Sequence, residues 1–406
     1  MDLIYLDNNA TTMPAPEVVA AMLPFFEHWY GNPSSVHRFG QRARQAIDEA
    51  RGQVCGSIGC RESELIFTGG GTESINMAIR GLLAARSPRR KIIISAVEHP
   101  ATRELCLQLA KEGAGIVEIQ VDRGGAPDMD QLSAAVDDQT ALVSIMLANN
   151  ETGVLFPVEQ IAGICSQRGV PLHTDATQAI GKIAVDVKAL GVDAMSFAAH
   201  KFHGPKGVGG LYLRRGLRIR PLLIGGPQEQ SRRGGTENVP GIVGMGKAAE
   251  LISAECKVLS AESEERRSEE VPPLSTQHSV LSPRVAALRD RFEGAILKEI
   301  PDTHVNGRTD QRLPNTTNIG FARLEAEAIL LLLSEAGVCA SAGSACSSGS
   351  LEPSHVLRAM KIPDPIARGA VRFSLSRYTT EQEVSRTLEL LPGIIQRLRQ
   401  VLPVGR

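Results

Sequence analysis

The chain has 406 residues, with 44 lysines and arginines against 45 aspartates and glutamates, a formal net charge of -1. This balance provides no general attraction to nucleic acid or to anionic lipid. A hydrophobic content of 42% and a charged content of 22% are typical of a folded protein. The most apolar run, residues 329–333, is far shorter than the roughly 20 residues of a membrane span. We therefore expect partners that are small molecules or proteins, with no nucleic acid and no membrane.

The N-terminus and the cysteines indicate the compartment. The chain runs from Met1 to Asp7 without the basic stretch and apolar core of a secretory signal, so we expect a cytoplasmic protein. Its seven cysteines are an odd number and include no Cys-x-x-Cys pair, which argues against a disulfide framework and a zinc ribbon. We expect reduced thiols, one of which is a candidate for reactivity.

Short aliphatic runs alternate with longer amphipathic stretches between residues 65 and 213. This pattern predicts an α/β fold, with a mainly parallel sheet flanked by helices. Seven strands are predicted, the last as an antiparallel return: 65–68, 91–97, 116–121, 141–147, 170–175, 194–198 and 207–213. Ligands of such sheets bind beyond the carboxyl ends of the strands. Five polar residues follow different strand ends and are expected to share one site: Thr72, His99, Asn150, Asp175 and Lys201.

The second part of the chain predicts a smaller α/β lobe. Residues 257–283 are rich in Glu, Ser and Pro, which indicates an exposed insertion or linker without an assigned role. Helices are predicted at 284–300 and 325–336, and a strand at 371–376. The predicted domains are a large domain at 15–256 and a small domain formed by 1–14 and 284–406.

The glycine-rich loop 68–73 follows a predicted strand and opens a helix. Its free backbone N–H groups and the positive helix end could bind a phosphate. The loop lacks the last glycine of the dinucleotide fingerprint and the Gly-Lys-Ser/Thr of a P-loop, which disfavours NAD and ATP. A plain tight turn remains the alternative.

Two charged residues suggest a cofactor with a protonated ring nitrogen. Asp175 ends an apolar strand, where a buried carboxylate requires a partner such as a pyridinium; helix capping is the alternative. Lys201 follows a strand among apolar neighbours, which favour the neutral amine that can bond covalently to a carbonyl cofactor. Lys206, in a Gly/Pro turn, is the rival lysine.

A run of small residues at 339–350 surrounds Cys346 and predicts a mobile loop. A nucleophile that must enter a site and then deliver its cargo outside suits such a loop. Cys339 lies beside Val338 and is expected to be a small buried residue. The same interpretation applies to the remaining cysteines: Cys55, Cys60, Cys106, Cys165 and Cys256.

Motifs spread from near the first residue to about Leu391 resemble those of the NifS-type cysteine desulfurases, pyridoxal-phosphate enzymes of the aspartate-aminotransferase fold (type I). The resemblance rests on these segments: Tyr5-Leu6-Asp7-Asn8-Asn9-Ala10-Thr11-Thr12, Gly31-Asn32-Pro33-Ser34-Ser35-Val36-His37, Glu98-His99-Pro100, Asn149-Asn150-Glu151-Thr152-Gly153, His200-Lys201, Arg233-Gly234-Gly235-Thr236, and Ser344-Ala345-Cys346 leading to residues 351–358.

The resemblance implies roles around pyridoxal phosphate. Lys201 would bind the cofactor covalently and move protons, Asp175 would pair with the pyridine nitrogen, and His99 would stack on the ring with an acid–base role. The other implied contacts are to the ring hydroxyl from Gln178 and Asn150, and to the phosphate from Gly71, Thr72, His200 and, across a homodimer interface, Thr236.

The resemblance also implies the substrate and the reaction. Arg372, rather than Arg377, would anchor the carboxylate of L-cysteine, with Asn150 nearby. Cys346 would attack the substrate sulfur as a thiolate, leaving alanine and a persulfide that supplies an iron–sulfur scaffold protein. The persulfide of Cys346 could also hold an iron–sulfur cluster.

Three departures from the family pattern are visible. Ala198 replaces a serine whose hydroxyl contacts the phosphate in many relatives, and residues 257–283 form a longer segment than usual. The chain ends at Arg406 without the longer tail of housekeeping relatives, which, with the match at 371–378, favours the nitrogen-fixation branch.

Three alternatives stay open at this stage. A selenocysteine lyase or an aminotransferase could use the same fold and cofactor. A metal-cluster carrier could use Cys339, Cys346 and His355, although their spacing suits zinc poorly. A nucleotide-dependent dehydrogenase is disfavoured by the incomplete glycine fingerprint.

Overall fold

The structure is a computed structural model that describes residues 3–265, 283–342 and 352–401. Cys346 and residues 266–282 of the predicted insertion lie outside the described residues. Residues 257–265 continue the helix Val239–Glu265 instead of forming a loop. Their lysine, glutamate and alanine content suits a helix as well as an exposed linker.

The strands in the described ranges are β1 (Ile4–Tyr5), β2 (Leu65–Thr68), β3 (Lys91–Ser95), β4 (Gly115–Ile119), β5 (Thr140–Ser144), β6 (Leu172–Asp175), β7 (Ala194–Ala198), β8 (Gly209–Leu213), β9 (Thr303–Val305), β10 (Thr316–Phe321), β11 (Val338–Cys339), β12 (Ser341–Ala342) and β13 (Ala370–Ser374).

The helices in the same ranges are α1 (Pro16–Met22), α2 (Pro24–Glu27), α3 (Arg38–Ile58), α4 (Gly71–Ala85), α5 (Pro100–Lys111), α6 (Met129–Ala135), α7 (Val158–Gln167), α8 (Val187–Leu190), α9 (Gln228–Ser231), α10 (Val239–Glu265), α11 (Pro283–Glu299), α12 (Ala326–Glu335), α13 (His355–Ala359), α14 (Asp364–Ala367) and α15 (Glu381–Val401).

The large sheet has seven strands in the order β2-β8-β7-β6-β5-β3-β4. Only β8 runs antiparallel to its neighbours, β2 and β7, which confirms the predicted seven strands and antiparallel return. Strands β5, β6 and β7 are buried along their whole length, as expected for strands covered by helices on both faces. The predicted strand ends differ by up to three residues, because the buried apolar runs continue past the last paired residues.

The smaller α/β lobe is also present. Its four-stranded sheet has the order β12-β13-β10-β9, and every pairing is antiparallel. The N-terminal strand β1 pairs in parallel with β11 of this lobe. A separate apolar core unites Leu6 with Phe292, Phe321 and Phe373. The first residues of the chain therefore pack with its last third.

The carboxyl edge of the large sheet gathers the predicted site residues. Asp175 ends β6, and β7 leads through the 3-10 turn Ala199–Lys201 to the lysine. The segment after β1 crosses this edge, where Thr12 donates its backbone N–H to the carbonyl oxygen of His200 at 2.9 Å. Both lobes thus contribute to one site. Within the described ranges, no helix combines the length and the apolar content needed to cross a membrane.

Candidate active site

The start of α4 provides a site for an anion. Gly70 precedes the helix with a φ of +148°, which a side chain would disfavour, and it offers no capping side chain. The backbone N–H groups of Gly71, Thr72 and Glu73 donate to no described residue. An uncapped first turn of this kind suits a phosphate group.

Asp175 is 6% exposed at the end of β6. Its Oδ1 accepts the backbone N–H of Thr177 at 2.9 Å within a turn, and the next helix, α8, is capped by Asp186, so Asp175 caps no helix. Its Oδ2 accepts no hydrogen bond from a described residue, and no described cation lies within ion-pair distance. A buried carboxylate in this state requires a cationic partner.

Lys201 lies at the centre of the same edge. Its Nζ donates to the carbonyl oxygens of Asn9 at 2.7 Å and of Ala10 at 2.9 Å. The rival Lys206 is exposed on the Gly/Pro turn. The geometry therefore favours Lys201 as the lysine that meets a cofactor.

A second lysine, which the sequence analysis missed, is buried beside Lys201. Lys182 is 3% exposed, and its Nζ donates to Asn9 Oδ1 at 2.7 Å and to Gln178 Oε1 at 2.5 Å. Gln178 in turn donates its Nε2 to the carbonyl oxygen of Asn9 at 2.9 Å. Burial, with the charges of Lys201 and Arg372, lowers the pKa of Lys182 well below its ordinary value. Its position four residues after Gln178 was the available sequence signal.

Two histidines border this cluster. His99 accepts the backbone N–H of Ala101 at its Nδ1 at 3.1 Å, so Nε2 carries the proton in the neutral ring. Burial lowers the pKa of His99. His200 places its Nδ1 3.1 Å from Thr11 Oγ1, and burial lowers its pKa to about 4. Both rings are therefore neutral near pH 7.

Arg372 is almost fully buried at the boundary of the two lobes, with 2% of its surface exposed. Its Nη2 pairs with Asp7 Oδ1 at 2.7 Å, and its Nη1 donates to the carbonyl oxygen of Asn150 at 2.9 Å. Its Nε is buried and has no described partner. A substrate carboxylate at Arg372 would therefore meet a guanidinium that already holds Asp7.

Two buried glutamates support the segment that follows the Cys346 region. Glu151 accepts a hydrogen bond from Ser354 Oγ at 2.6 Å, and the carbonyl oxygen of Glu98 lies 2.9 Å from His355 Nε2. Burial, together with the charge of Asp175, raises the pKa of Glu98 to about 8. Both glutamates lie in sequence motifs, Glu98 before His99 and Glu151 after Asn150, but the sequence alone indicated no role for them.

Replacing Glu98 with glutamine should flatten the dependence of stability on pH. The folded-state pKa of Glu98, near 8, exceeds its ordinary value of 4.5, so the folded protein keeps a proton that the unfolded chain releases between these two pH values. The free energy of unfolding of the wild type therefore falls as pH rises from about 4.5 to 8. Over this range the free energy of unfolding of the wild type should fall by about 1.4 kcal/mol per pH unit. Glutamine keeps the acceptor oxygen used by Ser95 Oγ and the Met146 N–H.

Urea unfolding between pH 5 and 9 measures this effect. The free energies of unfolding of the two proteins should be similar near pH 5, and the variant should be the more stable at pH 8. Glu62→Gln, at an exposed position, is the matched control. Parallel curves for wild type and Glu98→Gln would show that Glu98 is ionised in the folded protein.

Among the described residues, no three His, Cys, Asp or Glu side chains come together as a metal site. Thr236 is exposed on the large domain. Cys55, Cys106 and Cys165 are buried, as predicted, whereas Cys60 and Cys339 are half-buried. The predicted nucleophile and possible cluster ligand Cys346 lies beyond the described part.

The family model described as aminotransferase class-V matches residues 4–272 and 284–387. "Cysteine desulfurase 2" of Trichormus variabilis is 51% identical over 403 residues, covering 99% of this chain and 96% of the relative. "Cysteine desulfurase NifS" of Azotobacter vinelandii is 48% identical over 401 residues, covering 98% and 94%. A solved structure titled "NIFS-LIKE PROTEIN" is 36% identical with a TM-score of 0.86, covering 98% of this chain and all of its own.

The residues present fit the cofactor of this family. The uncapped turn at Gly71 suits its phosphate, and the open Oδ2 of Asp175 suits its ring nitrogen. The start of α4 also lies beside an unused donor. The buried Oγ1 of Thr177 has no described partner, and it is so close to Gly71 that a Cβ atom added to this glycine would lie 3.2 Å from it. The chain belongs to the class-V aminotransferase family, and within it to the NifS-type cysteine desulfurases, which are pyridoxal-phosphate enzymes.

Proposed function

We propose that this cysteine desulfurase converts L-cysteine into L-alanine at the carboxyl edge of the large sheet, and that Cys346 takes up the sulfur as a persulfide. The observation that carries the proposal is the convergence of Lys201, Asp175 and the uncapped start of α4 at one edge. Residues 15–256 would act as the cofactor domain, with 1–14 and 284–406 as the small domain.

The cofactor, when bound, supplies a ring that withdraws electrons from the substrate carbon. Lys201 would hold the cofactor covalently and move protons, because two carbonyl oxygens keep its Nζ at the site. Asp175 would pair with the ring nitrogen through its open Oδ2. Gly71, Thr72 and His200 would hold the phosphate, since the first-turn N–H groups are unused.

The remaining side chains would orient the ring and the substrate. His99 is a neutral imidazole that can stack on the ring and exchange a proton through Nε2. Gln178 and Asn150 would contact the ring hydroxyl. Arg372, with Asn150, would hold the substrate carboxylate, and its unused Nε is the donor that supports this role.

A homodimer is proposed, in which Thr236 of each subunit completes the phosphate site of the other. Thr236 is exposed, so it is available to a neighbouring molecule. Large apolar side chains are also exposed: Phe26 by 61%, Tyr30 by 73% and Ile224 by 92%. A contiguous patch of such side chains would mark an interface between proteins.

The sulfur would pass from Cys346 to an iron–sulfur scaffold protein in the cytoplasm, in the service of nitrogenase maturation. The relative named NifS supports this branch. A transient cluster bound through the persulfide of Cys346 is part of the same proposal.

A spectrum and a product assay with L-cysteine test the reaction. The purified protein should absorb at about 420 nm, and it should release alanine and transferable sulfur in equal amounts. Pyruvate in place of alanine would indicate a different reaction on the same cofactor. Activity with selenocysteine alone would indicate a lyase specific for selenium.

A further inference from the structure

Lys182 is a buried lysine for which the proposed reaction has no use. It is 3% exposed, and no described carboxylate lies within ion-pair distance of its Nζ. Buried lysines are rare unless they are paired. The two described acceptors of its Nζ are the amide oxygens of Asn9 and Gln178, at 2.7 and 2.5 Å.

These two contacts fix the orientation of the Gln178 amide. Because Oε1 accepts from Lys182, the amide cannot flip without facing one donor with another. One Nε2 hydrogen goes to the carbonyl oxygen of Asn9 at 2.9 Å. The second Nε2 hydrogen then remains as the polar group that Gln178 can offer to a ligand.

Asn9 links this amide to the reactive lysine. Its side-chain oxygen accepts from Lys182, while its backbone carbonyl oxygen accepts from both Gln178 Nε2 and Lys201 Nζ, the latter at 2.7 Å. Asn9 is itself held by Thr316 Oγ1, to which its Nδ2 donates at 2.9 Å. A change at Lys182 can therefore reach Gln178 directly and Lys201 through one residue.

We propose that Lys182 is a positioning residue that holds Gln178 with its N–H, and never its carbonyl oxygen, directed at the ring hydroxyl of the cofactor. The inference rests on the proposed contact between Gln178 and that hydroxyl. An N–H donor there would stabilise the ionised hydroxyl, and so would favour loss of the proton from the linkage between the cofactor and Lys201. A carbonyl oxygen in its place would have the opposite effect.

Four charged or titratable side chains of the described residues face Lys182. Lys201 and Arg372 are its positively charged neighbours, and His200 and His203 also face it. Both histidines are kept neutral by burial, which lowers the pKa of each to about 4. In its protonated form Lys182 places a like charge beside Lys201, and removal of that charge would also favour the protonated linkage.

Spectrophotometric pH titration of the bound cofactor tests the proposal. Lys182→Met should raise the pH midpoint of the absorbance change by about one unit, a tenfold change in proton affinity. Gln178→Leu should raise the midpoint by a similar amount. The double variant should shift the midpoint by clearly less than the sum of the two single shifts, because Lys182 acts mainly through Gln178. Lys188→Met, at an exposed lysine, should leave the midpoint unchanged.

The possible outcomes distinguish failure of the positioning role of Lys182 from failure of the proposed function. An unchanged midpoint in Lys182→Met, or additive shifts in the double variant, would overturn the positioning role while the wild-type spectrum still supports the cofactor. A wild type without the absorbance band would instead overturn the assigned cofactor site. Urea unfolding of the cofactor-free variants reports any purely structural loss.

A second variant covers the case in which Lys182→Met does not fold. Gln178→Glu keeps an oxygen acceptor for Lys182 and so preserves the buried contact, but it removes the N–H donor. The midpoint should then rise by at least one unit. A midpoint equal to that of the wild type would overturn the proposal.

Discussion

Replacing Cys346 with alanine should abolish sulfur transfer from L-cysteine, by about a thousandfold or more, while the cofactor absorbance near 420 nm persists. Only a thiolate attacks the substrate sulfur effectively. Burial raises the pKa of Cys106 and Cys165 to about 12 and also raises that of Cys339. These described thiols therefore remain protonated near neutral pH and cannot replace Cys346.

Cys339→Ala is the matched control, because Cys339 lies on β11 of the same lobe. It should keep the rates of alanine and sulfide formation within about threefold of the wild type. Mass spectrometry after reaction with cysteine should find the added sulfur on the peptide that contains Cys346. Normal turnover by Cys346→Ala, or added sulfur on Cys339, would assign the nucleophile elsewhere.

The large sheet and the site residues that follow its strands could be predicted, because both depend on local patterns in the sequence. Fully buried parallel strands require continuous apolar runs, and those runs located all seven strands. Parallel strands end at a common edge, which brings His99, Asp175 and Lys201 together without knowledge of any other contact. The antiparallel return of β8 was also predicted, and its pairings with β2 and β7 confirm it.

The contacts across the chain could not be predicted in this way. Gln178 meets Asn9 across 169 positions, and Arg372 meets Asp7 across 365 positions. Hydrophobic periodicity gives information about residues within one helix or strand, and none about pairs that are so far apart in the sequence. Lys182 was not predicted as a site residue, because lysine is ordinarily found on the surface. The residue type alone therefore argues against burial, although Lys182 is buried in the fold.

Replacing Asp175 with asparagine should reduce kcat/KM for L-cysteine by about a thousandfold, since the variant cannot form an ion pair with the ring nitrogen. A buried ion pair that loses one partner costs about 3–5 kcal/mol, and each factor of ten corresponds to about 1.4 kcal/mol. The fold should survive, because the asparagine Oδ1 can still accept the Thr177 N–H. Cofactor affinity should also fall, as measured by fluorescence titration of the cofactor-free protein.

Asp193→Asn separates an effect on chemistry from an effect on the fold. Asp193 precedes β7, accepts the Leu172 N–H at 2.9 Å and pairs with Arg214, so its replacement weakens the opposite edge of the same sheet. This variant should lose stability but keep kcat/KM and cofactor affinity. If Asp175→Asn retained full kcat/KM, the carboxylate would serve only as a cap for the Thr177 N–H. A loss confined to Asp175→Asn, with unchanged urea unfolding of the cofactor-free protein, requires that its charge act on the cofactor.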